Sequence, residues 1–135
     1  MKFYRLFCLL AAIIMGAEGL LAQNQGPKTP EQQEKQLIEF IDKEKQRLSD
    51  LLDLEYWQVF YVDSILTHDF HAMSAELADL QKAKVENSDL YVNIQDKWME
   101  KIDVAYKRVF NEAQWKKYMK SGGERAKKAR DKRKK

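Results

Sequence analysis

The chain is 135 residues long, with 24 Lys and Arg against 21 Asp and Glu, a formal charge of +3 and a single cysteine. Such a length holds one small domain with a modest core, and one cysteine excludes an internal disulfide framework. The charge is divided: residues 23–121 carry 14 basic and 18 acidic side chains, a net −4, whereas residues 122–135 carry 8 basic and 2 acidic, a net +6.

Met1-Lys2-Phe3-Tyr4-Arg5 is a positive start, Leu6 to Met15 an apolar run, and Ala17 to Gln23 a stretch of small residues with a cut expected after Ala22. Residues 1–22 thus read as a secretory signal, and export to the periplasm is the expected destination. The apolar run is short of the about 20 residues a membrane span needs. The lone Cys8 lies inside it, so cleavage leaves no disulfide, no thiolate nucleophile and no cysteine metal ligand. About 110 residues then fold by helix packing alone.

Residues 23–29 form a polar leader with Gly26 and Pro27. Thr29-Pro30-Glu31-Gln32 supplies a cap, a proline at the first helical position and a capping-box partner. The first helix follows to about Asp50, with Leu37, Ile41, Leu48, Leu51 and Leu52 near one face. A second helix runs from about Glu55 to Lys84, where Val59, Val62, Leu66, Phe70, Met73, Leu77 and Leu80 fall within an arc of roughly 80°. Asn87-Ser88 breaks the pattern. A third helix uses Tyr91, Ile94, Trp98, Ile102, Ala105 and Val109 within a similar arc of roughly 80° and returns antiparallel to the second. A short fourth helix carries Trp115, Tyr118 and Met119, and Gly122-Gly123 stops it. No strand pattern occurs. The expected fold is all-α, an elongated antiparallel hairpin of about four helices over residues 30–121, with 122–135 as a disordered basic tail.

Trp57, Tyr61, Ile65 and His68 lie about 180° round the second helix from its core stripe. Aromatics rimmed by charge serve as a client-binding or dimer surface; the alternative is that the first helix covers them. His68 and His71, three apart on one helix face with Asp69 between, are candidate metal ligands, although surface histidines need no metal. No nucleophile, base and orienter converge and no phosphate-cradling glycine loop occurs, so no enzyme and no cofactor are expected. The basic tail of a cytosolic protein would point to nucleic acid. Export removes that partner in most settings, leaving an anionic envelope surface, acidic protein segments or a solubilising role.

Two copies of one pattern, Leu54-Glu55-Tyr56-Trp57-Gln58 and Phe110-Asn111-Glu112-Ala113-Gln114, open the second and fourth helices. In the second, Asn111 caps, Gln114 reaches back to the cap's N–H and Phe110 staples onto Trp115. In the first, Glu55 caps less well and Asp53 is an alternative cap. The arrangement resembles the LTxxQ (Spy/CpxP-like) family of small exported helical proteins, with Glu55 and Asn111 at the two Thr positions. The resemblance implies an antiparallel homodimer whose concave surface binds unfolded or partner polypeptides without ATP. Two rivals stand beside it: a metal-responsive regulator using His68 and His71, and an envelope protein tethered by its basic tail.

Overall fold

The computed structural model describes residues 28–135; the expected signal (1–22), its Cys8 and most of the leader lie outside the described residues. The described chain is all-helical, with no strand. Its elements are α1 (Pro30–Leu52), α2 (Tyr56–Lys82), α3 (Ser88–Val109), α4 (Glu112–Tyr118), a π-helical turn over Met119–Gly123, and α5 (Glu124–Arg133). None of these helices is long and apolar enough to cross a membrane.

α1, α3 and α4 begin where the sequence supplies a side-chain acceptor for their free N–H groups. Thr29 Oγ1 accepts from the Gln32 N–H at 3.2 Å while Gln32 Oε1 accepts from the Thr29 N–H at 3.1 Å, a closed capping box with Pro30 behind it. Asn87 caps α3 through the Asp89 N–H. At the other end of α1, Asp53 adopts the left-handed conformation at φ 50° and so terminates the helix. Asp53 is therefore not a cap of α2; Glu55 holds that position. Lys84 at φ 53° does the same just beyond α2, which stops at Lys82 rather than at Lys84.

The core is the set of stripes expected from periodicity. Leu37, Ile41, Leu48 and Leu52 of α1 meet Val62, Leu66, Phe70, Met73 and Leu77 of α2, and Tyr91, Trp98, Ile102 and Tyr106 of α3 close the other side. Val59 and Leu80 sit at the margins, half-buried. Each large apolar side chain so buried contributes about 1.5–3 kcal/mol. α1 packs on α2, α2 on α3, and α4 against α1. Polar bridges tie the same neighbours at the rim. Lys45 reaches Asp63 at 3.1 Å, His71 reaches Glu34 at 2.8 Å, and Lys97 reaches Glu76 at 2.6 Å.

The C-terminal segment departs from expectation. Gly122-Gly123 does not end the chain's order: Gly122, at φ 133° and ψ −18°, kinks it inside the π-helical turn, and α5 follows directly. Only glycine adopts that φ freely. Gly123 is needed for another reason, since a Cβ there would lie 2.9 Å from the Tyr118 ring. α5 is thus a helix, not a disordered tail, and the reason is local. Glu124–Lys128 and Lys127–Asp131 form i,i+4 pairs, and the residues between are good helix formers, with an acidic start and a basic end that complement the macrodipole.

Long-range charge completes the docking. Arg130, only 5% exposed, pairs with buried Asp103 on α3, while Tyr118 donates its hydroxyl to the other Asp103 oxygen at 2.6 Å. Arg133 clasps buried Asp96 with two bonds of 2.7 Å each, and Lys134 pairs with Glu100. The basic end of the sequence therefore meets its acidic partners in its own α3. Burial, reinforced by the Asp103 charge, holds the Tyr118 phenol well above its usual range and keeps it a donor.

Candidate functional site

The start of α2 carries an aromatic face that no other helix among the described residues covers. Tyr56, Trp57, Phe60 and Tyr61 are 92, 50, 65 and 52% exposed, an unusual outlay of large apolar surface for so small a body. Trp57, Phe60 and Tyr61 are mutually ordered. The Tyr61 ring stands edge-on to Trp57 at 6.1 Å and to Phe60 at 5.8 Å, and the Trp57 indole N–H donates to the Glu55 carboxylate at 2.6 Å. Trp57 and Tyr61 thus lie where the helical rotation puts them. Ile65 does not belong to the face, because it packs partly against the core. It falls between the two bridges, Lys45–Asp63 and Glu34–His71, by which α1 lies along α2. Tyr56 and Phe60 are added. Their signal in the sequence was plain aromatic density over 56–61, which a search confined to the side opposite the core stripe passes over.

Behind this face the two motif glutamines meet. Gln58 and Gln114, 3 and 9% exposed, form a reciprocal amide pair: Gln58 Nε2 donates to Gln114 Oε1 at 2.7 Å, and Gln114 Nε2 donates to Gln58 Oε1 at 3.0 Å. Each oxygen also accepts from the N–H of its own cap, Glu55 or Asn111, at 2.9 Å. Each amide nitrogen also donates across, Gln58 to the Val109 carbonyl at 3.0 Å and Gln114 to the Leu52 carbonyl at 3.3 Å. Two donors and two acceptors are all that a glutamine amide has, and here all are used. Turning either amide over would set its oxygen against a carbonyl. The pair has an approximate two-fold character, since each glutamine caps its own helix and closes the end of the helix before the other motif. Asp53 is the one residue by which the first turn exceeds the second.

The second motif also holds its cap: Asn111 Oδ1 accepts from the Gln114 N–H at 2.8 Å. Phe110, 6% exposed, stacks on Tyr106 at 5.0 Å and packs on Tyr118 at 5.8 Å. Tyr118 thus receives the staple contact expected of Trp115, which instead tilts against Tyr118 at 5.5 Å. Leu54, the apolar residue opening the first motif, packs half-buried on the core.

His68 and His71 engage different neighbours. His71 Nδ1 faces the Thr67 carbonyl at 2.6 Å and its Nε2 faces Glu34 at 2.8 Å. Both partners are acceptors, so the doubly protonated ring fits best, and Glu34 first and the Thr67 carbonyl second raise its pKa. His68 bonds Asp69 at 2.7 Å. Among the described residues no three His, Cys, Asp or Glu converge on an ion.

The chain was compared with protein-family models, curated proteins and solved structures, and it matches none of them.

Proposed function

We propose that this chain is an exported, ATP-independent chaperone or stress adaptor of the LTxxQ type, binding unfolded or partner polypeptides through Tyr56, Trp57, Phe60 and Tyr61. The observation that carries this reading is the exposure of four aromatic side chains on one helical turn and a half, three of them in edge-on ring contact, next to the carboxylate of Glu55. Aromatic groups of this kind bind unfolded segments non-selectively, because apolar side chains of any shape gain by leaving water. A rigid base favours such binding, since less order is lost on association, and the satisfied Gln58–Gln114 pair fixes the turn from which the face projects. α2 and α3 are read as an antiparallel hairpin, supported by Gln58 meeting Val109 at one end and Glu76 meeting Lys97 nearer the other.

The test replaces Trp57, Phe60 and Tyr61 together with serine in the processed protein. Suppression of aggregation of a chemically denatured client is expected to disappear while circular dichroism and the thermal midpoint hold, because exposed positions away from buried networks change stability by only about 0.5 kcal/mol each. A folded variant that protects the client as well as the parent would reject the face as the working site. If light scattering shows instead that the parent is a dimer and the variant a monomer, with protection intact, the face joins two copies.

A further inference from the structure

The basic end of the chain has two faces once it is helical. At about 100° per residue, Arg130, Arg133 and Lys134 fall on one side of α5, and these are the three that meet Asp103, Asp96 and Glu100 on α3. Arg125, Lys128 and Lys132 fall within about 60° of one another on the opposite side. All three are exposed, and together with Glu124 and Ala129 they line a shallow groove. Lys128 leans on Glu124 at 3.0 Å, but with side chains 71 and 56% exposed the pair is easily exchanged for another anion.

We propose that this outer face of α5 docks on an anionic lipid bilayer, lying flat on the headgroups. The row spans about 10 Å along the helix axis, and Lys135 continues the chain's cationic end beyond it. Charge complementarity sets the partner's sign: with Arg130, Arg133 and Lys134 paired to α3, residues 122–135 still hold five basic side chains, Arg125, Lys127, Lys128, Lys132 and Lys135, against Glu124 and Asp131. The composition sets its class. α5 contains alanine as its only apolar residue type and no aromatic, so it neither inserts into acyl chains as amphipathic anchors do nor stacks on the bases of a single strand. A row of cations without large apolar side chains, held from behind, matches a planar array of phosphates. The α3 contacts do the holding, so that the inner cations present the outer ones. The surface is separate from the aromatic face on α2, and its test is independent of chaperone activity.

The experiment is cosedimentation of the processed chain with vesicles of phosphatidylcholine alone and of phosphatidylcholine mixed with phosphatidylglycerol, at low and raised salt. Binding is expected to the mixed vesicles alone and to fall as salt rises. Each surface cation contributes about fivefold to such binding, so Arg125→Gln, Lys128→Gln and Lys132→Gln together should weaken it on the order of a hundredfold. Glutamine sustains the helix, and circular dichroism checks that it does. The comparison variant Lys35→Gln, Lys43→Gln, Lys82→Gln removes the same charge from exposed sites on α1 and α2 and should bind within a few-fold of the parent. An equal loss in both variants would overturn the proposal, as would absence of binding to the mixed vesicles at low salt. Tighter binding to a duplex oligonucleotide than to the vesicles would also overturn it.

Discussion

Two buried polar centres hold this molecule together, and they are built on opposite principles. Gln58–Gln114 is neutral, with six hydrogen bonds that use every donor and acceptor of both amides. Asp103–Arg130–Tyr118 is ionic, with one carboxylate shared between a guanidinium and a phenol. The neutral centre joins two internal turns and does not respond to pH or salt. The ionic centre anchors α5, which has no large apolar residue of its own, so the docking rests on charge: on this centre and on the Arg133–Asp96 and Lys134–Glu100 pairs beside it. A buried ion pair of this kind is costly to break yet adds little over an apolar contact, because desolvation offsets most of the Coulomb attraction. The molecule thus has one end fixed by saturation and another held by charge.

The largest effect that would separate these ends comes from Asp103→Ala. It leaves Arg130 without its buried partner, a loss of about 3–5 kcal/mol if the helix stayed docked. Because α5 is set off from α4 by the kink at Gly122, the expected result is local: amide hydrogen exchange in 124–133 becomes fast while α1 to α3 keep their protection. Protection of α5 equal to that of the parent would show that the ionic centre is not the anchor.

Smaller in size, but global in reach, is the effect of breaking the amide pair. Gln58→Ala strands the Gln114 amide and the Glu55 N–H, at about 1–3 kcal/mol for each buried group left unpaired. Urea unfolding should register it as a shifted midpoint for the whole body. In a cycle with Gln114→Ala the two losses should fall short of additive by about 0.5–3 kcal/mol, since each single change already removes the shared bonds. Strict additivity would mean that the glutamines act only as separate caps.

The smallest effect lies on the rim. Because Glu34 and the Thr67 carbonyl hold the His71 pKa above its ordinary value, its contribution is fully present below the unfolded pKa of about 6.5 and is lost as pH rises through the folded one. The stability difference between parent and Glu34→Gln should therefore be larger at mildly acidic than at mildly alkaline pH, and the imidazole C–H resonances should titrate above the usual range. A Glu34→Gln difference independent of pH would show that the His71 ring is neutral throughout.

Much of this body was legible in the sequence, because helix stripes and caps are local. The stripe through Val62, Leu66, Phe70, Met73 and Leu77, the Thr29 box and the Asn111 box all follow from spacing alone. What escaped were relations between segments. Gln58 and Gln114 were readable as caps, yet the capping rule uses only the amide oxygen, and nothing local says where the amide nitrogen goes. Ile65 sat on the outward side by rotation, and only the course of α1 along α2 made it inward. The tail was misread because its charge run outweighed its i,i+4 pairs. Its match with Asp96, Glu100 and Asp103, spaced four and three apart on α3, becomes visible only when the two helices are set side by side.

The amide pair has a consequence for how such a sequence can vary. Neither glutamine has a substitute within reach of the other's two free valences: glutamate brings no donor, and methionine brings the length without the polarity. A change at one position is therefore penalised until the other changes too, so homologous chains should keep both residues or replace both together. A duplicated motif of this type is then a single feature written in two places, and a chain carrying only one copy would have to find another acceptor and donor for the orphan. The cap positions are under no such tie, since Glu55 and Asn111 each bond within their own turn. That asymmetry matches what the sequence displays: the two caps differ from each other, and the two glutamines are the same.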